Sequence, residues 1–144
     1  MRLFKTITLA SVTALALMVS TASHADLLNL GATLSGAAEV PSNTSAGMGQ
    51  LQAEFDKATK TLRYTLRYSG LSGPVKAAHF HGPAEAGKNA GVALGINNAG
   101  ESPVQGSAVL TADQAADLLA GKWYVNVHTA ANPGGEVRGQ VIPE

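Results

Sequence analysis

The chain contains no cysteine among its 144 residues. That absence excludes disulfides, thiolate zinc sites, iron–sulfur clusters and blue-copper centres with a Cys ligand. Any metal site must be built from His, carboxylates, Tyr or Met. Aromatic residues are scarce, at 5% with a single Trp, and charged residues reach only 14%. Ten basic residues balance ten acidic ones, so neither sign is in excess. With no basic stripe to release counterions, the composition argues against nucleic acid or an anionic membrane surface as a partner. Long apolar runs are missing everywhere except at the start.

That start reads as an export signal. Arg2 and Lys5 give a basic beginning, Ile7 to Val19 form a largely apolar stretch, and Ser23-His24-Ala25 is a small-x-small cleavage site. The apolar stretch is short for a bilayer span and is soon followed by Ser, Thr and His, which weighs against an uncleaved anchor. Cleavage is placed after Ala25, leaving residues 26–144 as one domain with one core. Removal of Arg2 and Lys5 leaves eight basic residues against ten acidic ones, a formal net charge of −2. The expected location is periplasmic or secreted, with no membrane association after cleavage.

The remaining apolar segments are short, and turn signals separate them, as in an antiparallel sandwich or barrel. Met48 to Asp56 turns Leu51, Ala53 and Phe55 to one face and Gln50, Gln52 and Glu54 to the other. Thr61 to Ser69 answers with Leu62, Tyr64, Leu66 and Tyr68 inward, which predicts a hairpin. Further strands are predicted over Gly31–Ala37, Val75–His81, Val92–Ile96, Val104–Val109, Trp123–Thr129 and Glu136–Ile142. One short helix interrupts them. Thr111 and Gln114 have the spacing of a capping box, Leu118 and Leu119 supply apolar contact, and Gly121 ends it.

Only His79, His81 and His128 remain after cleavage. Alternate strand residues point to opposite faces, so His79 and His81 point together while Phe80 goes to the core. Tyr124, Asn126 and His128 share a face of their own strand, opposite Val125 and Val127. If the two strands are neighbours, three neutral imidazoles converge, which is what a borderline transition-metal ion requires. Tyr124 could be an axial or an outer group of the site, and Asn126 could orient a ring nitrogen. Glu136 either accepts from an imidazole or, the plainer reading, forms a solvated pair with Arg138. Glu39, Glu85 and Lys88 are read as solvated, and the polar loop Gly82–Gly91 as mobile and beside the site. No catalytic residue is assigned, since no Gly-x-Ser-x-Gly, Walker lysine pattern or pocketed carboxylate pair is present.

Four segments carry a family resemblance: Leu34 to Pro41, Ala78 to Pro83, Tyr124 to Thr129 and Asn132 to Gln140. In that order they resemble the CHRD domain, described first as a repeat in chordin and found as a lone exported domain in bacteria. The resemblance runs from about Leu30 to Ile142. It implies an all-β, immunoglobulin-like antiparallel β-sandwich or barrel, and little about chemistry. The growth-factor binding of chordin belongs to cysteine-rich modules that are absent here. The His-x-His plus a later strand His also looks like part of the copper site of Cu/Zn superoxide dismutase, without its fourth or bridging His.

The resulting expectation is an exported metal-binding β-sandwich. His79, His81 and His128 hold copper, with zinc as the alternative, for redox chemistry or for storage and delivery. The alternative is a structural or adhesive module, without metal chemistry, that binds another protein or itself.

Overall fold

The computed structural model describes residues 26–144, so the expected export signal and its cleavage site lie outside the described residues. The described residues form β1 (Leu27–Ser35), β2 (Met48–Asp56), β3 (Thr61–Ser69), β4 (Val75–His81), β5 (Val92–Gly95), β6 (Val104–Val109), α1 (Ala112–Leu119), β7 (Trp123–Thr129) and β8 (Val137–Pro143). A single 3-10 turn, Gly36–Ala38, follows β1. The strands make one antiparallel sheet in the order β5-β4-β7-β8-β1-β2-β3-β6. It curls so that its two halves face each other across one core. Tyr64 of β3 meets Phe80 of β4 edge-on, with ring centroids 5.1 Å apart, and Trp123 of β7 lies 5.8 Å from Phe80.

The predicted alternation explains which faces close. In β2 and β3, Leu51, Phe55, Leu62, Tyr64 and Leu66 are buried, and Ala53 and Tyr68 pack against them. The hairpin register runs from Met48 opposite Ser69 to Asp56 opposite Thr61. Asp56 sets its turn by accepting the N–H groups of Ala58 and Thr59. The expected all-β antiparallel fold with one short helix is therefore what the chain adopts, as a curled half-barrel. Boundaries move by a few residues. β1 starts at Leu27 and gives way to the 3-10 turn at Gly36, while β8 starts after Glu136.

Helix α1 has the capping box that its sequence predicts, with Thr111 Oγ1 accepting from Gln114 N–H and Gln114 Oε1 accepting from Thr111 N–H. Leu118 is buried, whereas Leu119 is exposed rather than packed. The Gln114 Nε2 group donates to the Ala93 carbonyl, tying the helix to the edge strand β5. Thr111→Ala is expected to cost about 1 kcal/mol, read in a thermal melt as a fall of roughly 4 °C in Tm.

Candidate metal centre

β4 and β7 are hydrogen-bonded neighbours in antiparallel register, with His79 opposite Asn126, His81 opposite Tyr124 and Ala77 opposite His128. Alternation then fixes the faces. Ala78, Phe80, Val125 and Val127 fill the core, and the three histidines with Tyr124 and Asn126 occupy the other side of the sheet. β8 continues that face, placing Arg138 opposite Asn126 and Gln140 opposite Tyr124.

One nitrogen from each imidazole lies within 4.8 Å of the other two. His79 Nδ1 and His128 Nε2 are 3.1 Å apart. Metal–nitrogen bonds of about 2.0–2.1 Å allow two ligand atoms to stand at most ~4.2 Å apart, and a 3.1 Å spacing corresponds to an angle of roughly 100° at the ion. His79 and His128 thus already have the separation of adjacent ligands. The His81 nitrogen stands within 4.8 Å of both and must move closer to complete the set.

Main-chain carbonyls orient two of the rings. His81 Nδ1 lies 3.0 Å from Ala90 O, and His128 Nδ1 lies 2.9 Å from Pro133 O. A carbonyl can only accept, so a proton on each Nδ1 leaves the Nε2 lone pair for an ion. His81 Nε2 faces Asn126 Oδ1 at 3.0 Å. Burial lowers the pKa of His79 below its ordinary 6.5, and repulsion from His128 and His81 adds to this. Burial also lowers that of His81, against the opposing effect of its contacts with Ala90 and Asn126. Both shifts favour the neutral ring, the state that ligation needs.

Around this group the polar side chains are more buried than their local sequence indicates. The Tyr124 ring stacks on His81, with centroids 4.8 Å apart and planes 3° from parallel. Its hydroxyl donates to Ala90 O and accepts Ala90 N–H. Arg138, from the strand on the other side of Tyr124, lies 3.4 Å from that ring's centroid. Its guanidinium donates to Lys88 O and Asn89 Oδ1, and Asn89 in turn donates to Val40 O. The loop Gly82–Gly91 does border the site, as expected, but residues 88–90 are fastened to it rather than left free.

Two sequence expectations need correction. Glu136 and Arg138 do not form a solvated pair. Glu136 is fully buried and accepts from the hydroxyls of Ser45, Ser72 and Thr129 and from Ser72 N–H. Burial alone would raise its pKa, yet these donors outweigh it and hold the carboxyl at about 2. Glu39 is buried rather than solvated, and Asn126 Nδ2 approaches its Oε1 at 3.5 Å. Glu85 and Lys88 are exposed, as expected. Ser45 and Ser72 had no sequence signal, because nothing local links either of them to Glu136.

Gly135 makes the enclosure of Glu39 possible. Its φ is +130°, and a methyl there would stand 2.2 Å from Glu39 Oε1 and 2.6 Å from Asn126 Nδ2. A larger residue there would have to push that pair aside.

A curled antiparallel β-domain with three imidazoles gathered on one outer face is the class these features define. The family model of the CHRD domain matches residues 30–141, and the chain belongs to the CHRD domain family. Among curated proteins none matches. No solved structure matches either.

Proposed function

We propose that this is an exported metal-binding CHRD protein, periplasmic or secreted, that holds copper through His79, His81 and His128. One observation carries the reading: a nitrogen from each of the three imidazoles lies within 4.8 Å of the others. The carbonyls of Ala90 and Pro133 support it, because they accept from Nδ1 and leave Nε2 for the ion. Imidazole suits both copper and zinc, and the Irving–Williams order favours Cu(II), with zinc the weaker alternative. Three protein ligands leave a coordination position for water or a small ligand. That position serves storage and delivery, and it is also where redox chemistry would take place.

Titration of the purified protein with Cu(II) and with Zn(II) tests the reading. One equivalent of Cu(II) is expected to give an electron paramagnetic resonance signal with nitrogen hyperfine structure, and a higher Tm. Zn(II) is expected to bind the same site more weakly. Indifference of both the spectrum and Tm to either ion would defeat the proposal.

A further inference from the structure

The buried carboxyl of Glu39 has no part in ligation as described, yet it adjoins Asn126, whose side-chain amide faces His81 Nε2. Both ring nitrogens of His81 meet oxygen atoms: Nδ1 faces Ala90 O, and Nε2 faces Asn126 Oδ1, each at 3.0 Å. A neutral imidazole has only one N–H to donate. One of the two contacts would then set lone pair against lone pair.

Turning the Asn126 amide by half a revolution removes the conflict within nearly the same outline. Nδ2–H then donates to His81 Nε2, and His81 Nδ1–H donates to Ala90 O. The turned amide points its oxygen at Glu39, where the present separation from Nδ2 is 3.5 Å. An ionised carboxylate would repel that oxygen, whereas a protonated one donates to it. Burial favours the protonated form of Glu39, and the charged side chain that opposes it is Arg138 of β8. Asn126 of β7 and the Val40 N–H are the hydrogen-bonding groups that favour its ionised form. Gly135 closes over the pair.

We propose that the metal site is linked to Glu39 through the Asn126 amide, so that an ion arriving on His81 turns the amide and Glu39 gives up a proton. This rests on the metal-binding reading above. The ion takes the Nε2 lone pair, and the Nδ2–H of Asn126 loses its acceptor there. The amide swings back and donates to Glu39, which is then better off as a carboxylate. One metal–nitrogen bond forms, an N–H···N bond is exchanged for N–H···O⁻, and the carboxyl proton leaves to solvent. Asn126 and Glu39 are positioning residues, since neither touches the ion. By reciprocity, protonation of Glu39 weakens metal binding by the same factor by which metal lowers its proton affinity.

The test follows the Glu39 carboxyl carbon by nuclear magnetic resonance across a pH titration, without metal and with saturating Zn(II), which is diamagnetic. The expected result is a midpoint at least about one unit lower with Zn(II), equivalent to a tenfold change in affinity. In Asn126→Ala, checked for folding by its Tm, the two midpoints should coincide. Glu39→Gln, which cannot titrate, should release roughly 0.4 proton fewer per Zn(II) bound at the pH of the metal-free midpoint, where Glu39 starts half protonated. An unchanged Glu39 midpoint in Zn(II)-loaded protein overturns the linkage while leaving the metal site standing. A shift that persists in Asn126→Ala also overturns it, because the field of the ion alone then accounts for the effect. Failure of Zn(II) and Cu(II) to bind at all removes both this linkage and the function it rests on.

Discussion

His128→Ala is expected to weaken Cu(II) binding by at least about a hundredfold, since even residues that only orient a ligand commonly contribute ~10–100-fold. His128 and His79 already stand 3.1 Å apart. Removing either leaves two imidazoles and a site open to solvent. His79→Ala and His81→Ala should follow, each abolishing the copper-induced rise in Tm and reducing the number of nitrogen couplings in the spectrum. His128 and His79 are half-buried and outside the core, so these two variants should melt close to the parent when a chelator is present. Loss of copper binding without loss of fold is the discriminating result. Retention of near-parental affinity in all three single variants would mean that the cation sits elsewhere. Acid should release the metal as the imidazoles charge. Because the pKa values of His79 and His81 are lowered, release should need a pH below the ordinary imidazole value of 6.5.

The second large effect concerns stability. Glu136→Ala is expected to cost roughly 3 kcal/mol, because it strands buried donors that a charged acceptor had satisfied. A loss of that size would lower Tm by about 10 °C in a domain of this length. The sign with pH follows from the depressed carboxyl, held at about 2 in the folded chain against an ordinary 4.5. The unfolded chain takes up this proton at higher pH than the folded one, so acid favours unfolding. The stabilisation is complete above about pH 4.5 and fades as the pH falls towards 2. Glu136→Gln should therefore melt well below the parent at pH 7, and the gap should narrow steadily between pH 4.5 and 2. Differential scanning calorimetry in a chelating buffer isolates this from metal release. A gap independent of pH would show that Glu136 is not ionised inside the fold.

Much of the architecture was legible because each strand has one face against the core. Period-two alternation in Met48–Asp56 and Thr61–Ser69 marks those faces directly, and Thr111 with Gln114 marks the helix start. The histidines were legible for a different reason: alternation aligns His79 with His81, and His128 is the one further candidate among the described residues. Their meeting was not legible. It depends on the pairing of β4 with β7, between which β5, β6 and α1 intervene, and no local pattern encodes that contact. The burial of Glu39 and Glu136 was hidden for a related reason. Each lies beside turn residues and reads as solvent-facing, and what encloses them comes from elsewhere: Asn126 and Gly135 for Glu39, Ser45 and Ser72 for Glu136. Side chains removed from water by distant parts of the chain leave little trace in their own neighbourhood.

The carbonyls of Ala90 and Pro133 have a bearing on how the protein can vary. Both belong to the main chain, so replacing either side chain leaves the oxygen in place. An alanine scan would pass over them, and the residues at these two positions are free to drift so long as the path of the backbone is kept. A one-residue insertion or deletion in Gly82–Gly91 or Ala130–Gly135 would be far more damaging, because it slides the oxygen away from its ring. Imidazole orientation is thus specified by the lengths of two loops more than by their composition.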